Sequence, residues 1–283
     1  MKTVDTLKLG LIGDNIARSR SPLLHRLAGD QNGIAVTYDR LVPRERGQSP
    51  EQVFDECAEA GYRGINITYP YKERFADLVQ IDDPLVRAMG AVNTVTFDPS
   101  GPRGHNSDYS GFMAAYRQVR GQAAPGPVLM IGTGGVGRAV AFGLAGLGAT
   151  ELRLLDRDPD KARALAETLA GVAPDMAITI CTDPESAARG ASGLINCTPV
   201  GMVGYEGTPL PGHAMTGADW AFDAVYTPVE TRFLTDAADK GLSVISGWEL
   251  FFFQGVHAWA HFCGAPVNQA TLRHALIHMG EAA

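Results

Sequence analysis

The chain has 283 residues, 45% hydrophobic and 19% charged, and its 24 Lys and Arg against 31 Asp and Glu give a formal net charge of −7. At roughly 150 residues per domain, that length predicts two domains. The acidic balance excludes a general nucleic-acid binder, which needs a basic face for phosphates, but leaves room for a small anionic substrate in a local site.

In chain order, the apolar run 7–13 predicts a first strand, and Ser21-Pro22 a helix start with Ser21 at the cap and Pro22 at the first helical position. Residues 35–42 predict a second strand, and 50–61 a second helix closed by Gly61. A third strand at 64–68 is followed by a helix over 70–79, and 91–97 is a further strand. The middle changes character. Residues 127–132 form a short, fully apolar strand, as in a parallel sheet covered on both faces, and 139–149 a small-residue helix. Strand 151–156 and helix 160–171 follow, with strands expected at 176–181, 192–197, 220–225 and 242–246. Strand alternating with helix predicts an α/β fold with a doubly wound parallel sheet. Residues 249–264 and 268–280 read as two closing helices.

The N-terminal MKTVDTLKLGLIGDN lacks an apolar core with a small-residue cleavage site, and no apolar stretch approaches the ~20 residues of a spanning helix. A cytoplasmic protein with no membrane partner is expected. Cys57, Cys181, Cys197 and Cys263 show no C-x-x-C spacing, so buried or half-buried thiols are expected.

The clearest chemical motif is Gly132-Thr133-Gly134-Gly135-Val136-Gly137, after an apolar strand and opening a helix. Such a turn lets the backbone approach a pyrophosphate at the positive end of the helix. An acidic residue closes the next strand: Asp156, 19 positions after Gly137. Its carboxylate accepts hydrogen bonds from ribose hydroxyls and repels a 2′-phosphate, which favours NAD over NADP; the adjacent Arg157 would attract that phosphate.

A second set lies in the first half: Asn66, Thr68 and Lys72 after one strand, Asn93 and Thr94 in another segment, and His105-Asn106-Ser107-Asp108 in a third, with Ser19 and Ser21 near a helix start. A dehydrogenase acting on a secondary alcohol needs a group to take the hydroxyl proton as hydride leaves, and polar groups to fix the substrate. Lys72 and Asp108 suit that acid/base pair. Taken singly, each is more simply a surface charge or a turn, and spacing does not show that these segments converge.

From Gly10 to about Gly264 the chain resembles the shikimate dehydrogenase family, and within it the NAD-using quinate/shikimate dehydrogenases. The resemblance rests on Ile12-Gly13 followed by Ser19-Arg20-Ser21-Pro22, Asn66 to Lys72, Gly90-Ala91-Val92-Asn93-Thr94, Gly104 to Asp108, the glycine-rich turn, Asn196 to Met202, Asp223 with Tyr226, Pro228 and Thr231, and Gln254. It implies a substrate domain over 1–112 plus 250–283, a Rossmann dinucleotide-binding domain over 113–249, and terminal helices that return to the first domain. It implies that Ser19 and Ser21, with Tyr226, hold a substrate carboxylate. Asn66, Thr68, Asn93 and Gln254 bind the rest of the substrate, and Lys72 is catalytic with Asp108 as its carboxylate partner. Thr198, Met202 and Gly247 join the glycine-rich turn, Asp156 and Arg157 around the cofactor. Ser107 stands where the family has Thr, Leu250 where it has Met, and Glu249 where it has a small residue. Asp156 and Asp158 replace the Asn and Thr of an NADP-type pattern.

The expected activity is reversible NAD-dependent oxidation of shikimate to 3-dehydroshikimate, on a small carboxylated polyol bound by a monomer or homodimer. The alternatives are quinate to 3-dehydroquinate, or both activities. The paired serines favour shikimate and Asp156 favours a quinate-tolerant enzyme. A more remote reading is a non-catalytic NAD- or metabolite-binding regulator, which predicts loss of Lys72 or Asp108; both are present. His257/His261 and His274/His278 are four apart but lack H-E-x-x-H and a third ligand, so no metal is expected. Trp248, Phe251, Phe252, Phe253 and Trp259 read as packing residues.

Overall fold

A computed structural model describes residues 6–279. Contacts divide the chain into two units, one ending at Ser107 and resuming at Gly255, the other being Asp108–Gln254.

The first unit contains β1 (Leu7–Ile12), α1 (Ser21–Gln31), β2 (Val36–Leu41), α2 (Pro43–Arg46), α3 (Pro50–Glu59), β3 (Gly64–Ile67), a 3₁₀ turn (Arg74–Leu78), α4 (Pro84–Met89), β4 (Thr94–Asp98) and β5 (Gly101–His105). Its sheet runs β2-β1-β3-β4-β5, parallel through β2, β1 and β3 and antiparallel at β4 and β5. Alternation along β1 and β3 sends side chains to two cores. Ile12, Ile65 and Ile67 join Val53, Phe54 and Phe75 on one face, while Leu9 and Leu11 meet Tyr38, Trp259 and Phe262 on the other. Ser49 opens α3 with a capping box, its hydroxyl accepting from the Gln52 N–H and its own N–H donating to Gln52 Oε1.

The second unit is reached through α5 (Ser107–Arg120) and continues with β6 (Pro127–Ile131), α6 (Gly135–Gly146), β7 (Glu151–Leu155), α7 (Pro159–Val172), β8 (Ala177–Ile180), α8 (Pro184–Ala188), β9 (Gly193–Asn196), a 3₁₀ turn (Gly212–Met215), β10 (Trp220–Asp223), α9 (Arg232–Asp239) and β11 (Ser243–Ile245). Then come α10 (Gly247–Cys263) and α11 (Gln269–Met279). The sheet runs β11-β10-β9-β6-β7-β8 with every neighbour parallel. Its strand order reverses between β6 and β9, the switch point where doubly wound sheets bind ligands outside the carboxyl ends of the strands.

The dividing points lie inside α5 and α10 because packing, not helix boundaries, assigns residues to units. Phe112 and Tyr116 of α5 sit edge-on to Phe222 and Trp220, so α5 belongs with the second sheet from Asp108 onward. Trp259 and Phe262 of α10 are buried in the first unit's core, and α11 buries Leu272 and Leu276. The terminal helices therefore return to the first unit, as expected. Gly280, where the sequence closed the last helix, lies outside the described residues.

Several local expectations are corrected. Ser21 is the first residue of α1 and Arg20 its cap, with no side-chain cap bond. The helix expected over 70–79 is a turn followed by a 3₁₀ segment over Arg74–Leu78. The strand at 91–97 begins at Thr94, and β5 was missed because Pro102 and Gly104 disfavour a strand; β5 is an edge strand, where Pro is tolerated. Helix α6 begins at Gly135, inside the glycine-rich motif.

Candidate functional site

In the first unit, strand register brings the dispersed polar residues to one edge of the sheet. Ile12 pairs with Ile67, Asn66 with Thr94, and Thr94 with His105. The segments that leave β1 and β3, enter β4 and leave β5 therefore share one edge. Those segments carry Ser19 and Ser21, Thr68 and Lys72, Asn93, and Ser107. The Ser19 hydroxyl lies 3.2 Å from that of Ser21 and accepts the Ser21 N–H, at the N-terminus of α1. The half-exposed Thr68 hydroxyl has no protein partner among the described residues. Lys72 is half-buried on the turn after β3, where its carbonyl accepts from the Val92 N–H.

Behind this edge runs a buried chain of polar groups. Tyr38 donates to Asn66 Oδ1 at 2.8 Å, and Asn66 Nδ2 donates to Thr94 Oγ1 at 3.1 Å and to the Asn93 carbonyl at 3.3 Å. Asn66 thus ties β2, β3 and β4 together. Asn93 Oδ1 accepts the Ser107 N–H at 2.7 Å and its Nδ2 reaches the Ser107 hydroxyl at 3.0 Å. Asn93 thereby anchors the first residue of α5, immediately before Asp108. His25, missed by the sequence reading, is 1% exposed and stacks on Tyr38 at 5.2 Å. Burial holds its imidazole down at about 3, against the Asn66 hydrogen bond that raises it.

In the second unit the backbone makes the site. Gly132 has φ +99°, and a Cβ there would come within 2.7 Å of the Cys197 carbonyl, while one at Gly137 would overlap the Gly132 carbonyl. These two glycines let the β6 turn, the β9 turn and α6 touch. Gly134 is different: a Cβ there would meet no protein atom within 4 Å. No side chain caps α6, so its first N–H groups stay directed outward at the switch point. Those residues fit a dinucleotide pyrophosphate. Asp156 closes β7, and burial that would raise its carboxyl is outweighed by hydrogen bonds from the N–H groups of Asp158 and Thr133 and the Thr133 hydroxyl, which hold it below the usual range. Arg157 is exposed, and Val136 and Gly135 are half-buried.

Also in the second unit, Asn196 at the end of β9 organises the next turn. Its Oδ1 accepts from the Thr198 N–H and hydroxyl, and its Nδ2 donates to the Val200 carbonyl and to Asp223. Met202 follows, half-buried. The fully buried Asp223 also accepts from the Val225 N–H and the Thr231 hydroxyl. Burial pushes its carboxyl up to about 6 against the hydrogen bonds that pull it down. Asp108 is buried in the first turn of α5. Three residues on, Gly111 lies against Gln254 of α10, where a Cβ would come within 2.7 Å of the Gln254 nitrogen. Asp108 and Gln254 therefore lie on helices that approach closely at Gly111. Tyr226 stacks on Phe251, one turn before Gln254, at 5.3 Å. Gly247 lies so close to the Val225 carbonyl that a Cβ there would come within 2.5 Å of it.

His105 and His261 lie face to face at 3.9 Å in the first unit, and His274 and His278 are 4.2 Å apart. Among the described residues no group of three or more His, Cys, Asp or Glu is placed to hold a metal, and no helix is long and apolar enough to cross a membrane. The four cysteines are free, with Cys57 buried and the others half-buried.

The family profile of the shikimate dehydrogenase substrate binding domain matches residues 11–95, and that of the coenzyme F420-dependent NADP oxidoreductases matches residues 127–204. The quinate/shikimate dehydrogenase (NAD(+)) of Corynebacterium efficiens is 34% identical, over 95% of this chain and 97% of its own. The shikimate dehydrogenase (NADP(+)) of Pseudarthrobacter chlorophenolicus is 35% identical, over 94% and 92%. Among solved structures, the quinate dehydrogenase from Corynebacterium glutamicum in complex with NAD superposes with a TM-score of 0.90 at 32% identity, covering 96% of this chain and 99% of that one. The shikimate 5-dehydrogenase of Thermus thermophilus in complex with NADP(H) and shikimate gives 0.84 at 33% identity, covering 96% and 99%.

Proposed function

The chain belongs to the quinate/shikimate dehydrogenase family, and from that premise we propose that it oxidises shikimate reversibly to 3-dehydroshikimate, accepts quinate as a second substrate, and prefers NAD to NADP. The observation that carries this reading is the register that gathers Ser19, Ser21, Thr68, Lys72 and Asn93 on one sheet edge.

Ser19 and Ser21 are suited to a carboxylate, since two hydroxyls 3.2 Å apart sit at a helix N-terminus whose dipole favours negative charge. Tyr226 supplies a further hydroxyl to that carboxylate. Thr68, Asn93 and Gln254 bind ring hydroxyls. Lys72 takes the proton of the reacting hydroxyl while the carbon loses hydride, and returns it in the reverse direction. Asp108 supplies the negative charge that stabilises the resulting ammonium. The nicotinamide ring, when bound, accepts the hydride. Gly132, Gly134, Gly135, Val136 and Gly137 bring α6 N–H groups to the pyrophosphate, Thr198 and Met202 line the same site, and Asp156 accepts from a ribose hydroxyl.

Steady-state assay of shikimate and quinate, each with NAD and NADP, tests this reading. Turnover of both substrates with a higher kcat/KM for NAD is expected. No turnover in any of the four combinations sinks the dehydrogenase reading, and a higher kcat/KM for NADP sinks the cofactor assignment.

A further inference from the structure

The fingerprint roles in the glycine-rich turn belong to its glycines, yet the residue between the first two does something specific. Thr133 is 2% exposed, and both of its donors are turned onto one oxygen of Asp156: the N–H reaches Oδ2 at 2.7 Å and the hydroxyl reaches it at 2.8 Å. The other oxygen, Oδ1, accepts the Asp158 N–H at 3.0 Å. An ionised carboxylate offers about four lone-pair positions. Three are taken from within the chain, and one on Oδ1 remains.

We propose that Thr133 is a positioning residue for cofactor choice, which clamps Asp156 so that its single remaining acceptor meets one ribose hydroxyl and its charge cannot swing aside for a 2′-phosphate. This rests on the reading of Asp156 as the ribose-binding residue. A carboxylate on a free side chain can turn away from an incoming phosphate. One held by two donors of Thr133 and one of Asp158 cannot turn without breaking charge-assisted hydrogen bonds, which are the stronger kind. Rejection of NADP is then a joint property of Thr133 and Asp156 rather than of Asp156 alone. The hydroxyl also favours the ionised carboxylate, so its removal raises the pH at which Asp156 protonates.

The test measures dissociation constants of NAD and NADP by calorimetry on the full chain without substrate, for Thr133→Val, Thr133→Ser, Asp156→Asn and the Thr133→Val/Asp156→Asn double variant, with melting temperature as a folding control. Thr133→Ala replaces Thr133→Val if the latter does not fold. Thr133→Val is expected to weaken NAD roughly three- to tenfold, as loss of one hydrogen bond does, and to narrow the preference over NADP. Thr133→Ser restores both. The pH below which NAD binding fades moves upward in Thr133→Val. In the Asp156→Asn background, Thr133→Val leaves the NAD/NADP preference unchanged, because the amide oxygen still accepts from Thr133 but carries no charge to hold against a 2′-phosphate. Wild-type constants in Thr133→Val, or an equal narrowing of the NAD/NADP preference in both backgrounds, overturns the proposal. An unchanged NAD/NADP ratio in Asp156→Asn instead overturns the reading of Asp156 beneath it.

Discussion

The two units build their parts of the candidate site from different materials. The first unit uses side chains carried to one edge of a mixed sheet, with a buried relay from Tyr38 to Ser107 holding them. The second uses backbone: an uncapped helix N-terminus and glycines that let three segments of chain approach one another. A site made of side chains is broken by removing atoms. A site made of backbone is broken by adding them. The buried titratable groups differ as well, for the first unit buries a base, His25, and the second an acid, Asp223.

The largest expected effect lies on the side-chain half. Lys72→Ala should lower kcat by about 10²–10⁴-fold with a modest change in KM, because the proton acceptor is lost and the binding groups remain. Turnover within a few-fold of wild type would remove Lys72 from the chemistry.

The buried base and acid should respond to pH with opposite sign. His25 has a folded value of about 3, below the ordinary 6.5, so its contribution is present above pH 6.5 and is lost as pH falls toward 3. The full loss is on the order of 3–5 kcal/mol. Asp223 is raised to about 6 from 3.8, so its contribution is present below 3.8 and is lost as pH rises through 6, by about 2–3 kcal/mol. Urea unfolding across this range should show a flatter acid limb in His25→Phe and a smaller decline from pH 4 to 7 in Asp223→Asn. Parallel curves for either variant and wild type would contradict the burial argument for that residue.

The two glycine variants sharpen the backbone half. Gly137→Ala forces a Cβ onto the Gly132 carbonyl and should destabilise the chain by about 1–3 kcal/mol. Gly134→Ala meets no protein atom, so it should keep the wild-type melting temperature while weakening NAD. If Gly134→Ala melted early and bound NAD normally, the open space at Gly134 would not be a ligand's.

A loss of the same size belongs to the relay. Tyr38→Phe leaves Asn66 Oδ1 buried without its donor, a loss of about 1–3 kcal/mol seen as a lower melting temperature. An unchanged melting temperature would show that the relay contributes little to holding the edge.

Legibility in the sequence followed the same divide. The glycine-rich turn and Asp156 were readable from spacing, because a tight βα turn imposes its glycines locally. The polar edge of the first unit was readable only as residue types; nothing in the spacing of Ser19, Lys72 and Asn93 states that they share an edge, since strand register is a long-range property. The bonds of Asn66 to Tyr38 and Thr94 across the sheet had no trace in the spacing of those residues. His25 gave no signal, because a histidine in a helix looks the same whether buried or exposed.

By itself the amino-acid sequence determined the alternation of strand and helix, the glycine-rich turn with its acidic partner, and the residues available for acid/base work, because each depends on neighbours close along the chain. Tertiary structure alone decided that β4 and β5 run antiparallel, that the unit boundary falls inside α10 at Gly255, that Asn66 bonds to Tyr38 and Thr94, and that Thr133 holds Asp156. These outcomes depend on which distant segments pack together, and pairwise contact over long separations leaves little trace in local residue patterns.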